Sequence, residues 1–153
     1  MLYSLKTSYA IRACVYLAAM PAGFAAPVRQ IAEAESLPEP LLSLILAQLI
    51  RHGILASGPT ADGSYSLLPP PERITLMDLT NAIDGPWRLG TCSLDDHWQI
   101  LGTLTDDRWN TLQRRISVYL RRTTIAELAA GAELAAGSEQ PRALAHHARA
   151  VSC

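Results

Sequence analysis

Apolar residues near the start of the chain recur at spacings of three and four, which predicts an amphipathic helix from Ser4 to Met20. Ser4 can supply the side-chain oxygen of an N-cap, and the stretch Pro21-Ala22-Gly23 ends the helix. The apolar face of this predicted helix comprises Tyr9, Ala13, Tyr16, Leu17 and Met20.

Two further helices are predicted directly afterwards. Val28 to Glu35 has the pattern of a short helix with Ile31 and Ala32 turned inward. Leu41 to His52 has the pattern of a strong helix that Gly53 ends. The residues between them, 36–38, are typical of a tight turn. A short helix, a tight turn and a second helix form a helix-turn-helix.

The period of the pattern then changes from that of a helix to that of a strand. Residues 54–68, ILASGPTADGSYSLL, predict two short strands around a turn, with Asp62-Gly63 as the hairpin signal. A helix-turn-helix followed by a hairpin is a winged helix-turn-helix, with the hairpin as its wing. Thr75 then caps a predicted helix from Leu76 to Asp84, which Gly85 and Pro86 close.

A long amphipathic helix is predicted from Thr105, which caps it and is followed by two aspartates that suit the helix dipole. Its apolar stripe favours dimerisation, and the alternative is that it packs onto its own module. A short helix, Ile125 to Ala130, follows, and the alanine-rich tail from Gly131 to Cys153 is expected to be loose. The predicted dimerisation residues are Trp109, Leu112, Ile116, Tyr119 and Leu120.

The predicted fold is therefore mostly α-helical with a small β-hairpin wing: a winged helix-turn-helix plus a long dimerisation helix. We expect residues 1–85 to form a winged helix-turn-helix DNA-binding domain and residues 86–104 to form a linker or sensor-like segment. Residues 105–130 would form the dimerisation helix and the short helix, and residues 131–153 a loose C-terminal tail.

Composition narrows the classes of function. A net charge of −1 over 153 residues indicates neither a generally basic nucleic-acid binder nor an acidic solvating protein. Cys14, Cys92 and Cys153 are too few and too far apart for a disulfide framework. No apolar run approaches the roughly 18 residues that span a bilayer, and no leader pattern precedes the first helix, so we expect no membrane contact and a cytoplasmic location. Nothing favours an enzyme, because the sequence lacks a glycine-rich phosphate loop and a nucleophile–base pair.

Four phrases of the sequence are similar, in the same order, to those of one family. They are KTSYAIRACVYLA, IAEAESLPEPLLSLILAQLIRHGIL, ITLMDLTNAIDGP and TTIAEL. Over about residues 1–130 the chain thus resembles the Rrf2 family of bacterial transcription regulators. The resemblance implies a homodimer, in most cases a repressor, that places two winged helix-turn-helices on a palindromic operator of double-stranded DNA. It also implies that a signal can enter through an iron–sulfur cluster, held by three cysteines between the ITLMDL helix and the long helix.

The sequence departs from that family pattern in the segment between these two helices. Only Cys92 stands there, beside Asp95, Asp96 and His97. One thiolate with oxygen ligands suits an iron–sulfur cluster poorly, so we expect no cofactor, with a cluster as the weaker alternative. The segment is also compatible with a metal ion held by Cys92 and His97, with a thiol switch at Cys92, or with an inert cysteine and a protein or small-molecule effector.

DNA contacts are predicted from position in the helix-turn-helix and the wing. Residues 1–85 carry five basic and seven acidic residues, so binding to phosphates should be weak. We also expect Leu41, Leu44 and Ile50 to be exposed, which favours the alternative function, a protein-interaction module that has lost strong DNA binding. The long helix carries Arg108, Arg114, Arg115, Arg121 and Arg122, either as a solvated face or as a contact for nucleic acid or an acidic partner. The predicted DNA-binding residues are Lys6, Thr7, Arg29, Gln30, Pro38, Glu39, Ser43, Arg51, Gly63, Ser64 and Tyr65.

Overall fold

The computed structural model describes residues 3–58, 63–87 and 107–137. In these residues the chain is mostly helical with a small antiparallel sheet, which confirms the predicted fold class. The helices are α1 (Leu5–Ala18), α2 (Val28–Glu35), α3 (Glu39–Arg51), α4 (Leu76–Asp84), α5 (Asp107–Arg122) and α6 (Ile125–Gly137), with a 3-10 turn at Pro71–Arg73. The strands are β1 (Ala26–Pro27), β2 (Leu55–Ser57) and β3 (Ser64–Leu67).

The sheet has the order β1-β3-β2. The predicted hairpin supplies β2 and β3, in which Leu55 lies opposite Leu67. The third strand, β1, was not predicted, because two residues are too few to show an alternating pattern. It pairs Ala26 with Tyr65 and Pro27 with Ser64, so the wing is joined directly to the residues that begin α2.

The helix ends follow from local side-chain chemistry. Ser4 caps α1 through a hydrogen bond that its hydroxyl accepts from the amide of Thr7, at 3.2 Å. Thr75 and Asp78 form a reciprocal capping box at the start of α4, which fixes the helix where the sequence predicted it. Pro38 is the N-cap of helix α3, and Pro40 falls in the first turn, where no intrahelical amide bond is needed, as the sequence predicts.

The hydrophobic core lies where α1, α3 and α4 meet the sheet. Each fully buried leucine or isoleucine contributes about 1.5–3 kcal/mol to folding. Cys14 of α1 is completely buried in this core, and burial raises the pKa of its thiol to about 12. It is therefore an inert packing residue. The fully buried aliphatic side chains are Ile31, Leu42, Ile45, Leu46, Leu49, Leu55, Ile74, Leu79, Leu120 and Ile125.

The C-terminal helices are tied to the body at one junction. The amide of Leu76 donates to the carbonyl of Thr123 at 3.0 Å, and the amide of Ile125 donates to the carbonyl of Ile74 at 2.9 Å. Helix α5 packs against α4, and α6 packs against α1 and the 3-10 turn. The last helix continues to Gly137, so the prediction of a loose tail from Gly131 is wrong for residues 131–137. An alanine-rich run has high helix propensity, which one glycine does not overcome.

None of the helices in the described ranges is both long enough and apolar enough to cross a membrane. His146, His147 and Cys153 lie outside the residues that the structure describes.

Candidate nucleic-acid interface

Helix α3 presents one exposed stripe on the side away from its core residues. Leu42, Ile45, Leu46 and Leu49 are at most 2% exposed and hold the helix against the body. Opposite them, four side chains from Pro40 to Arg51 face solvent at spacings of three and four residues, and Glu39 is exposed directly before them. This is the geometry of a helix that can enter a groove of DNA. The exposed stripe of α3 comprises Glu39, Pro40, Leu44, Ala47 and Arg51.

Two of the three apolar residues expected on the exposed face are not fully exposed. Leu41 and Ile50 are half-buried and pack against the core, whereas Leu44 is 69% exposed. Their positions flank the buried stripe, where a helix lying close to its neighbours covers part of each side chain. The expectation that all three are exposed is therefore wrong, and the protein-interaction alternative loses most of its support.

Gln48 of α3 points toward α4 instead of toward solvent. Its side-chain amide donates to the carbonyl of Ala82 at 2.8 Å and to that of Ile83 at 3.3 Å. These carbonyls belong to the last turn of α4, which has no intrahelical partners for them. The bonds therefore fix the C-terminal end of α4 to the middle of α3.

The beginning of α2 lies beside the stem of the wing. The pairing of Pro27 with Ser64 places Arg29 and Gln30 one turn from the start of β3. Arg29 is 77% exposed and its Nε donates to Oε1 of Glu33 at 2.9 Å. The hydrogen bond and charge of Glu33, with a further contribution from the charge of Glu39, raise the pKa of Arg29 above its ordinary value.

Gln30 and Ser43 have local partners but stay accessible. The amide of Gln30 donates to the hydroxyl of Tyr16 at 2.9 Å, so α1 positions it. The hydroxyl of Ser43 donates to the carbonyl of Glu39 at 3.0 Å, and Ser43 is half-buried. Pro38 and Glu39 are exposed at the start of α3. Gln30, Pro38 and Glu39 are therefore all accessible to a ligand.

The wing stem is closed by a tight backbone contact. The amide of Gly58 donates to the carbonyl of Ser64 at 2.7 Å. A Cβ at Gly58 would clash with the hydroxyl oxygen of Ser64, so a larger residue there requires the Ser64 side chain to move. Gly63 has a φ of +58°, which a glycine adopts without strain. Tyr65 is half-buried against the core, and Pro59 and Asp62 lie outside the described residues.

The prediction that Thr7 contacts DNA is wrong. Its side chain is fully buried, and its hydroxyl donates to Oδ2 of Asp84 at 2.9 Å. The amide of Ser4 donates to the same oxygen at 2.9 Å, and the hydroxyl of Ser4 donates to Oδ1. Thr7 therefore fastens α1 to the end of α4 and does not reach a phosphate.

Partial burial raises the pKa of Asp84, but the hydrogen bonds from Ser4 and Thr7 and the charge of Lys6 together lower it by a larger amount. The net effect holds the pKa of this carboxyl below its ordinary value. Lys6 is exposed beside it. Because α1 and α2 run antiparallel, with Tyr16 beside Gln30 and Arg12 beside Glu35, Lys6 lies at the end of α1 away from Arg29. The structure does not bring these two cations together.

Charge at this interface is sparse. Within the described ranges the ion pairs are Arg12 with Glu35, at 3.2 Å, and Arg29 with Glu33. Arg51 is exposed at the end of α3, and no described residue is shown pairing with it. Arg51 is therefore the exposed cation at the end of the stripe.

Residues 88–104 of the sensor-like segment fall outside the described residues, including Cys92, His97 and the predicted weak metal site. In the described part of the chain, no group of three or more histidine, cysteine or acidic side chains is arranged to hold a metal ion. The cysteine set does not fit a cluster held by three neighbouring thiolates. Cys14 is sealed in the core, and Cys92 and Cys153 are far apart in sequence.

The predicted dimerisation stripe divides into two parts. Leu112 is 45% exposed and Tyr119 is 55% exposed, so both are available to a partner. Leu120 is fully buried, and Ile116 is half-buried against the core, so these two attach α5 to its own chain. The side chain of Trp109 lies outside the described part. One edge of this helix therefore packs on its own module, and another faces outward.

Taken together, the helix-turn-helix, the joined wing and the exposed stripe define the class of winged helix-turn-helix transcription regulators. Residues 3–131 match the Rrf2 family, described as an iron-dependent transcriptional regulator. The chain belongs to the Rrf2 family, as its motifs predicted.

The relatives agree with this assignment. An HTH-type transcriptional regulator of Mycobacterium tuberculosis, Rv1287, is 31% identical over 131 residues, covering 84% of this chain and 81% of that protein. Another from Aquifex aeolicus is 26% identical over 132 residues, covering 84% of this chain and 91% of that protein. These relatives are regulators and not enzymes, as is this chain.

Solved structures show the same fold. CymR, the global cysteine regulator of B. subtilis, superposes with a TM-score of 0.69 at 22% identity, covering 86% of this chain and 98% of CymR. IscR of T. potens has a TM-score of 0.69 at 24% identity, covering 93% of each chain. At these identities the likeness establishes the winged helix fold alone.

Proposed function

We propose that this protein is a homodimeric repressor that binds a palindromic operator in double-stranded DNA. In this proposal each α3 lies in a major groove, with Glu39, Ser43 and Pro38 toward base edges. Arg29, Gln30, Arg51 and the wing residues Gly63, Ser64 and Tyr65 contact the sugar–phosphate backbone. Lys6 contributes only at the periphery, and we leave Thr7 out because it is buried. A DNA-binding regulator of this kind would act in the cytoplasm.

The observation that carries the proposal is the exposed stripe of α3. Its inner residues are fully buried, so the stripe is held rigidly. The antiparallel pairing of β1 with β3 joins the wing to the residues that begin α2, and α2 packs against α3. This supports the wing and Arg29 as the backbone-binding elements of the proposal. A rigid helix flanked by backbone contacts is what a groove-reading protein requires.

Dimerisation is proposed through the outer edge of α5. Leu112 and Tyr119 lie one above the other at a spacing of seven residues, which is two turns of helix. Large exposed apolar side chains at such a spacing pack well against a copy of the same helix. A two-fold dimer would place two copies of α3 at the separation that a palindrome requires.

The proposed regulator works without a resident cofactor. Its cysteine set does not fit a three-thiolate cluster, so we assign no step to iron. Cys92 is kept as the candidate sensor because it is the one cysteine in the segment that joins α4 to α5. A thiol switch there, or a protein effector, would deliver the signal.

The test is binding of duplex DNA of about 30 base pairs selected from a random library. We expect the double variant Arg29→Gln/Arg51→Gln to lose about 10-fold or more in affinity and to reduce the salt slope by about two. The matched control is Arg12→Gln, which removes a positive charge that is paired with Glu35 away from the stripe. Equal affinity and equal salt slope in the double variant would refute the proposed interface.

A further inference from the structure

Four arginines of α5 occupy one face of that helix. At 100° per residue, the four side chains fall within an arc of about 120°. All four are exposed. Leu120, which is fully buried, lies on the opposite side of the helix and faces the body of the protein. We name this surface the arginine face, and its residues are Arg114, Arg115, Arg121 and Arg122.

The arginine face has no acidic counterpart among the residues that the structure describes. The ion pairs among the described residues join side chains of α1 and α2, and none involves α5. Glu127, the acidic residue in the first turn of α6, accepts a hydrogen bond from the amide of Thr124 and so serves as a helix cap. Four neighbouring positive charges on one helix face repel one another, and an acidic ligand relieves that repulsion.

The arginine face also contains apolar surface. Val118 lies at its centre and is 46% exposed. A bare phosphate backbone gains little from a valine. A peptide that carries both carboxylates and apolar side chains matches arginines around a valine, since arginine forms paired hydrogen bonds with carboxylates.

The position of α5 argues for a protein ligand rather than the operator. Helix α5 makes its main contacts with α4, and α4 in turn packs against α3. The arginine face lies on the side of α5 away from this body, and α4 connects α5 to the helix that carries the stripe.

From these observations we propose that the arginine face is a docking surface for an acidic segment of another protein. The segment carries carboxylates spaced to meet the arginines and an apolar residue that covers Val118. This proposal rests on the surface of α5 alone and does not depend on the proposed operator or on any cofactor.

The experiment uses the full chain and a synthetic helical peptide of about 15 residues, built from glutamate and leucine, followed by fluorescence anisotropy. A second peptide replaces each glutamate with glutamine. We expect the glutamate peptide to bind and the glutamine peptide not to bind. Added salt should weaken the binding of the glutamate peptide. In the quadruple variant Arg114→Gln/Arg115→Gln/Arg121→Gln/Arg122→Gln, affinity for the acidic peptide should fall at least about 10-fold.

Two controls separate this proposal from the proposed function. The Arg29→Gln/Arg51→Gln variant should bind the peptide normally while losing DNA. The quadruple variant should keep its affinity for the selected DNA and its oligomeric mass, and circular dichroism would verify its fold.

Three outcomes would overturn the docking surface. One is equal peptide binding by the quadruple variant, which would place binding elsewhere. Another is a change in its oligomeric mass, which would make the arginine face a contact between subunits. The third is a loss of DNA affinity without a loss of peptide affinity, which would assign the face to nucleic acid.

Discussion

Helices α3 and α5 both expose one side, but they differ in the number of side chains that they bury and in the charge that they expose. Helix α3 buries four aliphatic side chains to 2% exposure or less, and its exposed stripe carries one arginine and one glutamate. Helix α5 buries Leu120 fully and exposes four arginines. The difference shows that the helix proposed to read DNA is rigid and nearly neutral, while a cluster of four exposed arginines lies on a peripheral helix. Recognition by α3 must therefore depend on shape and a few placed contacts more than on net charge.

The largest effect is expected from the core side of α3. Leu46→Ala should lower the free energy of unfolding by about 2–5 kcal/mol, because it leaves a cavity beneath the helix. The matched control is Leu44→Ala on the same helix, which is 69% exposed and should change stability by no more than about 0.5 kcal/mol. Urea unfolding at a fixed protein concentration measures both. Similar losses would mean that α3 is buried on both sides.

The next effect concerns the outer edge of α5. Tyr119→Glu places a charge in the proposed dimer contact and should raise the dimer dissociation constant by roughly 30-fold, or about 2 kcal/mol. Val118→Glu, one residue earlier on the arginine face, should leave the dimer intact. Sedimentation equilibrium distinguishes the two variants. A dimer that tolerates Tyr119→Glu would remove α5 from the subunit contact.

A smaller effect is expected at Asp84, which joins α1 to the helix that lies between α3 and α5. Its pKa is lowered in the folded protein, so its carboxylate contributes stability above its unfolded pKa of about 4. That contribution is lost as the pH falls through the folded pKa. Asp84→Asn should therefore lower stability at neutral pH and flatten the loss of stability below about pH 4. Urea midpoints at neutral and acid pH measure this, and parallel pH curves would contradict it.

The smallest effect on DNA affinity should come from breaking the ion pair between Arg29 and Glu33. Glu33→Gln removes an exposed ion pair worth at most about 1 kcal/mol, so affinity for DNA should rise by no more than about fivefold. Glu35→Gln makes the same charge change on the same helix but lies beside Arg12, and it should have less effect. Filter binding of the selected DNA compares them. Equal gains in both variants would show that only net charge matters.

Elements with strong local signals were predictable from the sequence. The bounds of α2 and α4 agree with the prediction, because Pro27 precedes one helix and the capping box of Thr75 begins the other. The hairpin was predicted from its turn residues. The family was predictable as well, from motifs that keep their order along the chain.

Features that depend on contacts distant in sequence could not be predicted. Thr7 is followed by a serine and looks like any polar residue in the first turn of a helix. It is buried because its hydroxyl donates a hydrogen bond to a carboxylate 77 residues away in the sequence. Gln48 has the spacing of neither stripe of α3, and only the position of α4 explains its direction. Leu120 shares a period with Tyr119 and Ile116, so periodicity could not show which neighbour each side chain meets.

The shortness of β1 has a consequence for the protein at high concentration. A sheet edge with unpaired backbone groups can recruit a strand from another molecule and so begin aggregation. Here one edge of the described sheet is β1, which has two residues, and Pro27 has no amide hydrogen to donate. The opposite edge, β2, has three residues. The same brief pairing that fixes the wing thus leaves too little backbone for strand addition, so two wings cannot join into a larger sheet through these edges.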